Sequence, residues 1–326
     1  MQDCRNKERK NNREPIVMKI AGQKILVTGG GGFIGRVLLK KLVKEGVSPK
    51  DIYSPDEKEC DLRVFENCLR ATKGRDMVIH LAAVTGGIEF HKNNPARILS
   101  DNVAINRNTI EASRLSGVKK FLSVGSAALY DGDNLPYKEE LLDNWICAVD
   151  DLHAPYNYSK YLLFLATRFY RKQYGFNAVH LIFTNVYGPG DDGKTGYFIP
   201  SLINRVLKAK EDKTDLEVWG TGRATRDFVY VEDVAGAIIK ALKNYDKSEP
   251  INIGTGKERT IKEITELVVA ASKFKGKIKW LTDKPEGQMR RVLDTNRAKK
   301  LLKFSAKTPM EGGIEKTINW FVKNKI

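Results

Sequence analysis

A chain of 326 residues, 41% of them hydrophobic, is long enough to bury one large core or two lobes that share a cleft. Met1 to Lys19 is rich in charge without an apolar segment, and no later run could span a bilayer. This excludes a secretory leader and a membrane helix and leaves a cytoplasmic protein with a basic, flexible tail at 1–18 as the expectation. The formal net charge of +16 favours anionic ligands, and with no nucleic-acid-binding motif beside it the expected use is a basic face around a phosphate-binding cleft, with neither a membrane nor a nucleic acid as partner.

The first element is the apolar run Ile25–Thr28, which breaks into Gly29-Gly30-Gly31-Gly32-Phe33-Ile34-Gly35 and resumes with helical spacing at Val37, Leu38 and Leu42. Strand, tight turn and helix are the reading. Glycine at 29, 32 and 35 lets the backbone turn sharply, approach a pyrophosphate and pack helix against strand, with the helix N-terminus facing the phosphates. Further strands are predicted at 51–54, 77–81, 120–124 and 178–183, and helices at 36–45, 64–72, 95–116 and 158–174. Strands spaced by helices imply right-handed crossovers and a parallel sheet covered on both faces.

Beyond Tyr187 the texture changes to glycine-rich loops and short elements: a helix over 198–208, a strand over 216–219, Asp227–Val234 leading into a helix over 235–242, and Ile251–Ile253 ending at Gly254-Thr255-Gly256. The fold class is α/β, a Rossmann-type doubly wound parallel sheet with a smaller, discontinuous C-terminal substrate lobe. The dinucleotide-binding domain is expected at 19–186 plus about 225–254, and the substrate lobe at 187–224 and 255–326, with the active site between them. The stretch Gly188–Thr195 satisfies the P-loop pattern in form, yet its two aspartates would face the phosphates and Gly196–Pro200 does not read as the helix that must follow. Cys4, Cys60, Cys68 and Cys147 lack paired spacing, and His80, His91, His153 and His180 form no ligand pattern, so reduced thiols and no metal are expected.

Three residues can carry chemistry. Ser126 lies just past the end of a predicted central strand, and Tyr156 and Lys160 lie four apart on one helical face. The ammonium is expected to lower the phenol pKa from about 10, making Tyr156 usable as acid or base. After the second strand, Asp56 and Glu57 suit a free ribose hydroxyl and favour NAD, while Arg36 beside the glycine turn keeps NADP as the alternative.

The glycine turn, Leu81-Ala82-Ala83, Asn102-Val103, Ser126, Tyr156 with Lys160, and Asn185-Val186-Tyr187-Gly188-Pro189 occur in an order that resembles the extended short-chain dehydrogenase/reductase family, over nearly everything after Lys19. The resemblance implies a Rossmann fold binding NAD or NADP, a nucleotide-diphosphate sugar as substrate, and a homodimer. Ser126 would orient a sugar oxygen, Tyr156 move its proton, and Lys160 hold the nicotinamide ribose. Gly29, Gly32, Phe33, Ile34, Gly35, Asp61, Leu62, Leu81, Ala82, Ala83, Asn102 and Phe183 would hold the dinucleotide. Ala82–Ile88, Thr184–Pro189, Val218–Gly222 with Arg226-Asp227-Phe228, and Lys284–Arg291 look most like members that act on GDP-linked sugars, which implies substrate contacts from Thr85, Asn185, Arg226 and Arg290.

Two departures narrow the chemistry. Members that epimerise carbons 3 and 5 carry a cysteine two residues after the serine and a histidine after Tyr-Gly-Pro, where this chain has Ala128 and Gly190. Members that are 4,6-dehydratases place Asp and Glu directly after the catalytic hydroxyl, where this chain has Ala127 and Ala128. Reduction of a 4-keto sugar is the favoured expectation, with 4-epimerisation as the alternative and a non-catalytic dinucleotide-binding protein as the second alternative.

Overall fold

The computed structural model describes residues 18–324 except 146, 148–151, 194, 195 and 285. The basic tail, Lys194-Thr195 of the P-loop-like stretch and Pro285 lie outside the described residues. In chain order, β1 (Ile25–Thr28), α1 (Phe33–Lys44), β2 (Ile52–Tyr53), α2 (Phe65–Thr72), β3 (Met77–His80), α3 (Ile88–Asn93), α4 (Pro95–Leu115), β4 (Lys120–Ser126), α5 (Ala154–Tyr174) and β5 (Ala178–Phe183) alternate. They are followed by β6 (Asn185–Tyr187), α6 (Phe198–Asp212), β7 (Leu216–Trp219), β8 (Thr225–Arg226), β9 (Phe228–Tyr230), α7 (Val231–Asn244) and β10 (Ile251–Ile253). The chain closes with β11 (Arg259–Thr260), α8 (Ile261–Ala271), β12 (Ile278–Leu281), β13 (Arg290–Arg291), α9 (Asn296–Leu302) and α10 (Met310–Asn324).

The central sheet has six strands in the order β10-β5-β4-β3-β1-β2, every pairing parallel. β1, β3 and β5 are buried along their whole length, as strands covered on both faces must be. Alternate residues feed opposite layers. Ile25, Val27, Ile79 and Leu122 pack with Leu38 and Leu42 of α1 and Ile238 of α7. Leu26, Val78 and Phe121 pack on the other face with Ile110 of α4. This is the doubly wound α/β sheet expected from the strand–helix alternation, and its order reverses between β1 and β3, where such sheets open a crevice.

The differences from the predicted elements are local. β2 is two residues long because Pro49–Asp51 winds into a 3-10 turn. α5 starts at Ala154 rather than 158, with Pro155 in the first turn where its missing N–H is not needed. The segment after Gly196 does enter a helix, because Pro200 also sits in a first turn, that of α6. No helix among the described residues is long and apolar enough to cross a membrane.

A second apolar cluster gathers Leu202 and Ile203 of α6, Leu216 and Val218 of β7, Ile264 and Val268 of α8, and Ile314 and Phe321 of α10. Asp227 ties this cluster to the sheet. Fully buried, its carboxylate accepts from Thr255 N and Oγ1 and from Gly256 N at 2.5–3.0 Å, while its carbonyl accepts from Thr184 Oγ1 and Asn185 Nδ2 at 2.9 and 3.0 Å. Burial raises the Asp227 pKa, and these donors oppose that shift.

Candidate active site

The glycine turn is shaped by close approach. Gly29 has φ +70° and its backbone abuts β3's end, where a Cβ would come 2.8 Å from Ala82 N. At Gly35 a Cβ would sit 2.4 Å from the Gly29 carbonyl oxygen. Gly32 caps α1 with no side-chain bond to its first amides, leaving them to a ligand. Nothing lies within 4 Å of a Cβ built at Gly31, so the turn is open on one side. The cradle therefore fits a dinucleotide pyrophosphate.

From this turn a cavity of about 620 Å³ runs across the ends of β1, β3, β4 and β5, a size ordinary for a cofactor or substrate site. Of the residues assigned from the sequence, Gly29, Gly32, Phe33, Ile34, Gly35, Asp61, Leu62, Leu81, Ala82, Ala83, Phe183, Ser126, Tyr156, Lys160, Thr85 and Asn185 all line it. Ser126 is the last residue of β4, and its Oγ accepts the Ala128 amide at 3.1 Å, which leaves its own proton to donate.

Lys160, 3% exposed, makes its one hydrogen bond among the described residues to the Val124 carbonyl at 3.1 Å. An ammonium has three donors, so a buried cation with two donors unused among the described residues lines the cavity. Burial lowers its pKa to about 8, a shift of order 3 kcal/mol against the charge. The residues beneath it are neutral: His80 bridges Thr28 Oγ1 and Asn106 Oδ1 at 2.8 and 3.0 Å, and burial lowers its pKa to about 4. Asn106 Nδ2 in turn donates to the Ser159 carbonyl at 3.1 Å, fixing α5 next to Lys160.

Tyr156 corrects an expectation. Its pKa is raised, not lowered, by burial and by the neighbouring Tyr197. The Lys160 ammonium lies 5.5 Å from the Tyr156 ring centroid and points to the Val124 carbonyl instead of the phenol oxygen. Three residues assigned from the sequence do not line the cavity. Asn102 does not line the cavity; fully buried, it holds Val84 N and O at 2.7 and 2.8 Å and so shapes the loop after β3. Arg290 turns outward onto Glu258, whereas Arg291 lines the cavity. Arg226 lies beside the cavity, paired in register with Arg291 across β8 and β13, and its pKa falls to about 10 through burial and the Arg291 charge.

The end of the cavity where the adenosine ribose of a dinucleotide would lie is lined by Pro55, Asp56, Glu57, Cys60, Asp61 and Arg63. Arg63 was missed by sequence reasoning, and its guanidinium is shared among Asp61, Glu57 and Asp101 at 2.9–3.1 Å. Arg36 donates to the Gly31 and Gly190 carbonyls, both at 2.5 Å. Tyr197 was missed as well, since nothing in its local sequence distinguishes a wall residue from a helix cap.

A model of the NAD dependent epimerase/dehydratase family matches residues 25–254. The chain is 34% identical over 310 residues to a GDP-L-fucose synthase of Sinorhizobium fredii, covering 93% of this chain and 96% of that one. It is similar to the crystal structure of a GDP-L-fucose synthetase from Naegleria fowleri bound to NADP, with a TM-score of 0.86 and 28% identity over 96% of each chain. It is also similar to a GDP-mannoheptose C4 reductase from Campylobacter jejuni with NADP bound, with a TM-score of 0.83 and 26% identity over 94% of this chain and 99% of that one.

Proposed function

The chain belongs to the NAD dependent epimerase/dehydratase family of extended short-chain dehydrogenase/reductase enzymes, and on that premise we propose that it reduces the 4-keto group of a GDP-linked sugar. The observation that carries this reading is the set of groups around the cavity: Ser126, Tyr156 and Lys160 line it, and among the described residues no histidine does. Cys60, the cysteine in the wall, lies at the ribose end. Removing a proton from carbon 3 or 5 needs a base beside those carbons, and the wall beside Ser126 offers Ala127 and Ala128.

The dinucleotide would be held by the turn from Gly29 to Gly35, by Asp61 and Leu62, and by Lys160, and when bound it supplies the hydride. Ser126 donates its free proton to the keto oxygen. Tyr156, kept protonated by burial, delivers the proton that completes the alcohol, and the Lys160 cation stabilises the phenolate left behind. Arg226 and Arg291, two guanidiniums side by side without an ion pair to Arg226 among the described residues, suit the substrate diphosphate.

NAD is the proposed cofactor, although the two related structures hold NADP. A 2′-phosphate at the ribose end would meet Asp56, Glu57 and Asp61, while Arg63 and Arg36 are already committed.

Oxidation of NADH or NADPH in the presence of a GDP-4-keto-6-deoxyhexose tests this reading. Stoichiometric NADH oxidation is expected, with NADPH bound at least about tenfold more weakly. Tyr156→Phe should lower kcat by a factor on the order of 10² or more and leave the Kd for NADH within about threefold. No oxidation of either nicotinamide by the keto sugar, together with interconversion of a GDP-hexose and its carbon-4 epimer without net change in nicotinamide, would replace the reductase by a 4-epimerase, which uses the same three residues.

A further inference from the structure

We propose that Tyr197, acting with Thr85, is the residue that orients the sugar opposite Tyr156 and so determines which sugars are accepted; the inference rests on the GDP-sugar reading above. Tyr197 is the cap residue of α6. The preceding Gly196 has φ +77°, and a Cβ there would come 3.0 Å from the Gly87 Cα. The chain entering α6 is thus pressed against the segment after β3, a contact that glycine at 196 permits. This approach brings the Tyr197 and Thr85 side chains close together on the cavity wall.

The surroundings of Tyr197 are those of a group with a ligand to meet. Both residues line the cavity that Tyr156 and Ser126 also line. Tyr197 is close enough to Tyr156 to raise its pKa, and the protein around it raises its own. Yet 44% of its surface remains exposed, and it lines the cavity. Each hydroxyl offers one O–H donor and two lone pairs. That combination matches sugar hydroxyls, which donate and accept, better than a phosphate or an apolar group.

The consequence is stereochemical as well as energetic. A keto sugar held by Tyr197 and Thr85 on one side and by Ser126 and Tyr156 at the reacting carbon presents a single face for reduction. A 4-epimerase must let the intermediate turn over, so the same contact disfavours that outcome.

The test compares calorimetric affinities for GDP and for GDP-mannose in the wild type and in Tyr197→Phe, with Thr85→Val as the second variant. In the wild type the sugar should tighten binding about tenfold over GDP alone. Both variants should lose most of that increment, lose little more when combined because they remove one shared contact, and keep the wild-type affinities for GDP and NADH. In turnover, KM should rise about tenfold while kcat falls no more than about threefold, a split that a general loosening of the site would not give. An unchanged sugar increment in Tyr197→Phe overturns the inference while leaving the reductase reading intact. A wild-type protein that turns over a GDP-4-keto sugar but binds GDP and GDP-mannose equally overturns it as well. Failure of the wild type to bind GDP or GDP-mannose overturns the GDP-sugar reading, and this inference with it.

Discussion

Lys160 is a cation enclosed by neutral groups, and its charge is the most pH-sensitive part of the site. Burial lowers its pKa to about 8, so it is charged below that pH and neutral above it. Tyr156 shifts the other way, and stays protonated over the same range. In the direction of reduction, kcat/KM should therefore be flat from pH 6 to about 7.5 and fall roughly tenfold per unit above pH 8, reporting a group of the free enzyme. A profile that rises through pH 8 would mean that loss of a proton activates the site. The pairing of Tyr156 with Lys160 was legible in the spacing of the two residues, but the direction of the tyrosine shift was not. Spacing shows that two side chains share a helix face; it does not show that Lys160 bends to the Val124 carbonyl or that protein closes around the phenol.

At the scale of elements, the glycine turn is the best-defined structure that the sequence disclosed, and its glycines are not equivalent. A Cβ at Gly35 would lie 2.4 Å from Gly29 O and 2.5 Å from Gly30 Cα, both backbone atoms that cannot yield without opening the turn. Gly35→Ala should cost about 1–3 kcal/mol of stability and weaken NADH binding at least about tenfold. Gly31→Ala meets no atom within 4 Å and should fold with nearly wild-type stability; thermal denaturation and fluorescence titration of the two variants check the contrast. Elements whose partners are distant in sequence were harder to read. Arg290 and Arg291 are adjacent in a two-residue strand, so one must face away from the other. Only the register of β13 on β8, which sets Arg291 against Arg226, decides which one reaches the cavity. Asn102 likewise sits at the expected place on α4, but spends its amide on Val84 and Ile98.

At the scale of the whole molecule, the sheet core and the C-terminal cluster are joined along β6 and β9, with Asp227 binding the ends of β5 and β10. The cavity lies beside this seam, so its glycine turn comes from one core and Tyr197, Ile199 and Phe228 come from the other side. The parallel sheet was legible because buried strands between amphipathic helices leave a strong pattern. The far wall was not, because it is built from loops and two-residue strands whose meaning lies in what they pack against. In this arrangement a hydride passes from a dinucleotide held by one core to a sugar held by the other. Its most direct measurement is the proton NMR spectrum of the product formed in D₂O from a GDP-4-keto-6-deoxyhexose and unlabelled NADH. The expected product carries protium at carbon 4 with one NADH consumed per product, and no deuterium at carbons 3 and 5 beyond an enzyme-free control. Enzyme-dependent deuterium at carbon 3 or 5 would contradict it.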